Sequence, residues 1–257
     1  MVSVRENDDT HLGPVYGWMI GDFEVAMTAA RAELRGAALP EGVGRVAVDL
    51  GAGPGAHAIA LAEAGYAVTA IDTYAELLEE LRARAGHHAI RCVNDDVLRM
   101  RHHCRGALDV IVCMGDTLTH LTSPQSVEQL FEAIAGALRP GGVFVATFRD
   151  YQTRTLEGVE RFIPVRQDDR RMLTCFLEYH ETTVTVHDLL HERTDAGWTL
   201  RVSSYSKLRL GPESARATLD RLGLVATLDA GPKGMVRLVA RGPRDPACGN
   251  QTEGEIL

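Results

Sequence analysis

Residues 45–72 constrain the fold more than any other stretch. Val46 to Leu50 is a short apolar run, and Gly51, Gly53 and Gly55 after it force a tight turn. Ala56 to Ala64 has short side chains suited to a helix, and after Gly65 a second apolar run, Ala67 to Ile71, ends on Asp72. The order is strand, glycine turn, helix, strand, acid, which makes the two strands parallel neighbours in an α/β sheet.

Such a unit places a nucleoside ligand across the carboxyl ends of its strands. The glycines let a ligand approach the backbone and leave amide donors facing it, while Asp72 can accept hydrogen bonds from ribose hydroxyls. Gly51-x-Gly53-x-x-Ala56 followed by an acid also satisfies a relaxed dinucleotide fingerprint. Two details favour a different nucleoside. Pro54 lacks an N–H where a pyrophosphate would want one, and Asp49 puts a carboxylate beside the turn, which suits a ligand carrying a sulfonium and an ammonium.

Asp49-Leu50-Gly51-Ala52-Gly53-Pro54-Gly55, with Asp72 behind it, resembles motif I and its acidic follow-up in class I S-adenosylmethionine-dependent methyltransferases. The resemblance implies that Asp49 lies near the methionine end of S-adenosylmethionine and Asp72 on the ribose, with Ala52, His57 and Thr73 also around the cofactor. It further implies that an acid after the third strand accepts the adenine amine while an apolar neighbour touches the ring. Asp96 and Val97 match these positions, with Asp95 the competing acid; a plain Asp-Asp turn is the alternative.

A chain of 257 residues can bury one sizeable core, or a core plus an appendage. The net charge of -8 without a basic run argues against a nucleic-acid groove as the main surface. Five scattered cysteines without metal-ligand spacing read as reduced thiols of a cytoplasmic protein, and there is neither a secretion signal in Met1 to His11 nor a transmembrane run. Gly242 to Leu257 has little to bury and reads as a frayed tail.

Along the chain, the latter part of Tyr16 to Leu34 reads as an amphipathic helix closed by Gly36, and the segment is expected to lie over the ligand end of the sheet. Its Tyr16, Trp18 and Phe23 are candidates for the substrate pocket, with simple packing as the alternative. Thr73 can cap a helix from Tyr74 to Ala85, and a short strand around Ala89 to Val93 follows. The cluster Arg99, Arg101, His102, His103 and Arg105 reads as a solvated loop. Leu108 to Met114 is a fourth strand of nearly continuous apolar character. It runs into Gly115-Asp116-Thr117-Leu118-Thr119-His120, the best candidate for a catalytic loop. Met114 and Gly115 would flank the cofactor, while Asp116, Thr117 and His120 face cofactor or substrate. Of these, His120 can also exchange a proton near neutrality.

A helix is expected from Ser123 to Arg139, stopped by Pro140-Gly141-Gly142, and Leu138-Arg139-Pro140-Gly141-Gly142 before a strand is a second signature similar to class I methyltransferases. The fifth strand, Val143 to Phe148, delivers Arg149 and Tyr151 to the ligand edge. Arg149 can grip a carboxylate or phosphate and Tyr151 can offer one hydrogen bond, unless Arg149 merely pairs with Asp150.

Arg171 to Glu178, Thr182 to Arg193 and Trp198 to Leu208 then predict an antiparallel meander turning at Asp195-Ala196-Gly197. Thr183, Thr185, His187, Leu189 and His191 alternate with Val184, Val186, Asp188 and Leu190, so one face packs and the other meets solvent or substrate. His187 is a substrate-side candidate, and no metal is expected. The layout resembles glycine N-methyltransferase-like and nucleotide-amino-sugar N-methyltransferase-like enzymes, in which such a sheet serves as a lid.

The expected division is a helical cap (1–42), a cofactor core (43–150), an inserted lid (151–210), a helix and hairpin completing the core (211–242), and a tail (243–257). The expected activity is S-adenosylmethionine-dependent methylation of a small molecule, most readily at an amine, by a monomer or homodimer with no membrane partner. O- or C-methylation, an NAD(P)-dependent reductase and a non-catalytic methyltransferase-like binding protein stay open as alternatives.

Overall fold

The computed structural model describes residues 13–104 and 106–243. Alternating strands and helices build a seven-stranded sheet from β1 (Val46–Leu50), β2 (Ala67–Asp72), β3 (Ile90–Asn94), β4 (Leu108–Cys113), β5 (Leu138–Phe148), β10 (Val225–Ala230) and β11 (Val236–Arg241). Their order is β10-β11-β5-β4-β1-β2-β3. The first five run parallel, while β11 lies antiparallel between β5 and β10. The path runs outward from β1 through β3 and returns to β4 on the other side of β1, so a crevice opens between the carboxyl ends of β1 and β4.

Every residue of β4 is buried, as its nearly continuous apolar composition requires of a strand covered on both faces, and its one charged member, Asp109, is paired with Arg45 and Arg139. On one face α6 (Pro124–Ala135) and α7 (Pro212–Arg221) press Leu130, Phe131, Ile134 and Leu219 against Phe144 and Phe148. On the other, α2 (Phe23–Gly36), α3 (Ala56–Glu63) and α4 (Ala75–Ala85) bring Met27, Leu34, Leu61, Leu78 and Leu81 onto Val110 and Val143. Between β3 and β4, residues Val97–Arg99 and Met100–His103 (α5) are helical turns rather than the expected open loop.

The second sheet is antiparallel, in the order β6 (Phe162–Gln167), β7 (Arg171–Tyr179), β8 (Thr183–Thr194), β9 (Gly197–Leu208). It holds the expected three-stranded meander and adds β6, whose pairing with β7 shifts register between Pro164 and Arg166. The α/β architecture with an inserted antiparallel sheet is therefore the one anticipated.

The helix expected in the latter part of the N-terminal segment is α2; α1 (Gly13–Ile20) precedes it, set apart because Gly21 adopts φ +89° and Asp22 caps α2 through the Glu24 amide. Two local expectations are corrected. The helix expected to reach Arg139 stops at Ala135, with Gly136 as its C-cap, and Pro140 to Gly142 belong to β5. Thr73 does not cap α4; Tyr74 holds the cap position, and the Asp72 carboxylate takes the Tyr74 amide at 2.8 Å. The expected N-terminal stretch Met1 to His11, and all of the tail beyond Pro243, lie outside the described residues.

Candidate functional site

At the end of β1, Asp49 is 1% exposed and its Oδ2 has no hydrogen-bond partner. Burial pushes its carboxyl up to about 6, against the opposing pull of His57 and of the Ala58 amide. A carboxylate so placed costs free energy unless something cationic joins it. The next turn is drawn close to β2: the Gly51 and Ala52 amides both donate to the Ile71 carbonyl, at 2.8 and 3.2 Å. Gly51 has φ +72°, and a Cβ there would lie 2.5 Å from the Thr117 side chain, so only glycine lets the loop after β4 sit on this turn. Gly55 likewise has φ +95° and faces Leu81.

Asp72 lies at the end of β2 with each oxygen engaged once, Oδ2 by the Gly53 amide and Oδ1 by the Tyr74 amide, both at 2.8 Å. Burial raises its pKa, partly offset by these amides. Each oxygen keeps a lone pair for another donor. After β3, the Asp95 carboxylate is taken up by His103 at 2.7 Å and by the Asp96 amide at 2.8 Å, whereas Asp96 accepts the Leu98 amide and stays exposed beside the buried Val97. His57 directs Nε2 at Glu33, 3.1 Å away.

Across the crevice Asp116 is the centre of a buried polar cluster. It has φ +81°, is 4% exposed, and its carboxylate accepts from the Arg149 amide (2.8 Å), the Lys207 ammonium (2.5 Å) and the Tyr151 hydroxyl (3.3 Å). Burial works against its ionisation, but the Lys207 charge and the Arg149 amide more than offset this and hold its pKa below the usual range. Burial disfavours the Lys207 ammonium too, and Asp116 reverses that, so its pKa is raised. Tyr151 is raised chiefly by burial and stays a neutral donor. His120 stacks on Tyr205 at 5.8 Å, and burial followed by the Lys207 charge pushes its imidazole down to about 3.

Asp116, His120 and Tyr151, from two strand ends, thus meet in one cluster. Arg149 lies beside it, and among the described residues no carboxylate pairs with its guanidinium; Asp150 instead takes the Gln152 and Thr153 amides. Thr117 donates to the Met114 carbonyl at 2.9 Å with its side chain over Gly51, and the Gly115 amide donates to Thr147. Tyr16 reaches the glycine turn, its hydroxyl lying 3.9 Å from where a Gly53 Cβ would be.

Other candidates sit elsewhere. Phe23 packs on the core under the Arg84 guanidinium, 4.4 Å from its ring. Trp18 packs with Val15, Leu173 and Leu190 and donates to Asp168. His187 faces away from the cluster: it bonds Ser204 and Glu178, on the side of β8 opposite Val184 and Val186, which pair with Lys207 and Tyr205. Strand alternation separates the two faces, and the sequence alone did not say which turns inward. No sequence motif marks Lys207. Its signal is composition, since it is one of two lysines among 27 basic residues and stands in a strand. Among the described residues no group of three His, Cys, Asp or Glu could hold a metal ion, and no helix is long and apolar enough to cross a membrane.

Residues 47–142 match the family model described as a methyltransferase domain, and they span β1 to β5 with the glycine turn and the Asp116 loop. An amino pentose methyltransferase from Micromonospora echinaspora superposes with a TM-score of 0.73 at 17% identity, covering 90% of this chain and 96% of that one. The chain has the class I S-adenosylmethionine-dependent methyltransferase fold. It is related to small-molecule N-methyltransferases, being 31% identical over 106 residues to a glycine/sarcosine N-methyltransferase of Halorhodospira halochloris. It is also 36% identical over 107 residues to a ubiquinone biosynthesis O-methyltransferase of Pectobacterium carotovorum subsp. carotovorum. The chain spans about 40% of the length of these curated relatives, 40% and 43% respectively.

The crevice between β1 and β4 fits S-adenosylmethionine. The unsatisfied Asp49 oxygen suits its cationic end, and the open lone pairs of Asp72 suit ribose hydroxyls. Replacing Asp72 with Ala should therefore weaken S-adenosylhomocysteine binding about tenfold to a hundredfold, the worth of hydrogen bonds to a charged acceptor. Calorimetry giving wild-type affinity for that variant would contradict the ribose assignment.

Proposed function

We propose that this protein transfers a methyl group from S-adenosylmethionine to the amine nitrogen of a small molecule that also carries a carboxylate or phosphate. The observation that carries the reading is the protonation pattern around Asp116. The Asp116 carboxylate is closed by Lys207, the Tyr151 hydroxyl is neutral, and the His120 imidazole is pushed down to about 3, so the acceptor side offers hydrogen bonds without a strong base. A neutral amine needs no more than that, whereas a hydroxyl must lose a proton to become nucleophilic.

When bound, S-adenosylmethionine supplies an electrophilic methyl group. Asp49 and Asp72 hold it, and Gly51, Gly53 and Gly55 let it approach the backbone. Val97 and Asp96 take the base, with Met114 and Gly115 beside it. His120 orients the acceptor amine, Tyr16 closes the crevice over the glycine turn, and Arg149 receives the acceptor's anionic group. The lid strands exclude water above them. Support for an amine also comes from the glycine/sarcosine N-methyltransferase relative. The O-methyltransferase relative favours oxygen as a second reading.

The test is calorimetry with S-adenosylmethionine and with NADH, followed by incubation with glycine, sarcosine, amino-sugar nucleotides and catechols under mass detection. Binding of the first ligand alone and methylation of amines alone are expected; methylated catechols would favour oxygen, and NADH binding would return the chain to the reductases. With a carboxylate-bearing amine, Arg149→Met should raise KM about tenfold to a hundredfold and leave kcat within a few-fold, the signature of lost ground-state binding. His120→Asn should instead lower kcat/KM across the neutral range, and unchanged turnover would remove His120 from the reaction.

A further inference from the structure

Lys207 reaches the site from a different sheet from every other member of the Asp116 cluster. It lies on β9, on the face of the lid that also presents Tyr205 and, across the strand pair, Val184 and Val186. Its ammonium is 2.5 Å from Asp116 Oδ2 and 6.0 Å from the Tyr205 ring centroid. The groups that face it are Asp116 from the loop after β4, Arg149 and Tyr151 from the segment after β5, and Tyr205 on its own strand. It also acts on His120 and on Cys175 of β7, whose thiol bonds Asp188 of β8 at 3.0 Å.

We propose that Lys207 is a positioning residue of the acceptor site, withholding the Asp116 carboxylate from an incoming amine so that the amine is received as the free base. The chemistry is simple. A carboxylate left open beside the acceptor position would pair with an alkylamine and hold it as an ammonium ion, because an opposite charge at short range favours the charged form. Methylation uses the nitrogen lone pair, and an ammonium has none to give. With Lys207, the Tyr151 hydroxyl and the Arg149 amide all on Asp116, that counter-ion is already spent, and the remaining cation, Arg149, repels an ammonium while attracting an anionic group elsewhere on the same molecule. Because Lys207 belongs to the lid, the neutral-amine condition exists only when the lid sheet is seated. The inference rests on the amine reading above and adds the residue that enforces it.

His120 is a reporter already in place, since it faces both Asp116 and Lys207. The experiment follows imidazole nitrogens of histidine-labelled protein, saturated with S-adenosylhomocysteine, by NMR from about pH 8 down to about pH 4, with His120→Gln to assign the signal. In the wild type His120 should stay mostly neutral throughout. Lys207→Gln, which frees Asp116, should raise the His120 midpoint by about one unit or more and so bring it to half protonation by the bottom of the range, and Lys207→Arg should behave as the wild type. A His120 as neutral near pH 4 in Lys207→Gln as in the wild type, with S-adenosylhomocysteine still bound, overturns the proposal. So does a wild-type midpoint near the ordinary value of about 6.5, a result that needs no variant to fold. A wild-type protein that fails to bind S-adenosylhomocysteine removes the methyltransferase reading instead, while its His120 titration still decides whether Lys207 governs Asp116.

Discussion

Asp49→Asn should make the ligand-free protein more heat-stable and at the same time lower its affinity for S-adenosylmethionine by about two orders of magnitude. Both effects follow from a carboxylate 1% exposed, with one oxygen unbonded and a pKa pushed up to about 6. The folded pKa lies above the unfolded one, so the folded state holds the proton more tightly. The protein therefore loses stability as pH rises from about 4 to about 6, and above that range the ionised group costs about 3 kcal/mol. Asparagine keeps an oxygen for the Ala58 amide and removes the charge. For a chain of this size the gain corresponds to roughly 5–10 °C, visible at about pH 8 and absent near pH 3, where the group is neutral in both the folded and the unfolded state. The affinity loss is that of a buried charge–charge contact with the cationic end of the cofactor. Thermal melts at the two pH values and calorimetry with S-adenosylmethionine check the two halves separately; a variant no more stable than wild type at pH 8 would mean that Asp49 is satisfied in a way its surroundings do not provide.

The second large effect concerns the other side of the crevice. Asp116→Asn should destabilise the fold by about 3–5 kcal/mol, because it leaves the Lys207 ammonium buried without its counter-ion. The backbone itself tolerates the change, since asparagine accepts the left-handed conformation that Asp116 adopts at φ +81°. Pairing the change with Lys207→Met should recover most of the loss, as replacing both partners of a buried pair usually does. Urea midpoints for the single and double variants measure this directly. The pH sign is opposite to that of Asp49: the folded pKa of Asp116 is lowered, so its contribution is present above about 4 and disappears as pH falls through the folded value. Equal midpoints for wild type and Asp116→Asn would show that the ion pair is solvent-screened.

The cofactor half of this molecule is local in sequence, and that is why it was legible. Val46 to Asp72 contains two strands, the turn and the acid within one βαβ unit, and the apolar run Leu108 to Met114 announces both β4 and the loop it feeds. The acceptor half is assembled over long separations, with Lys207 lying 91 residues from Asp116. Neither residue's pattern names the other. Strand alternation predicts two faces for β8 but does not orient them, so the pattern leaves His187 a substrate-side candidate although it packs with Phe176, Ser204 and Glu178 on the outer side. β6 carries no strand signal in the sequence because Pro164, Arg166 and Gln167 interrupt its apolar pattern, and it is mostly exposed, as an edge strand allows.

Where the lid leaves and rejoins the core, the two crossing points touch. Arg209 donates to the Tyr151 and Gln152 carbonyls at 2.9 and 3.2 Å, and Gly211 sits so close to Gln152 that a Cβ there would overlap its amide. The inserted sheet is thus a closed excursion whose ends are already stitched together, so the rest of the chain pays little loop-closure entropy for whatever sequence fills it. Segment exchange is the practical corollary: a foreign antiparallel module cut at these same two points has its ends already placed by the parallel sheet, provided that it brings its own lysine to meet Asp116.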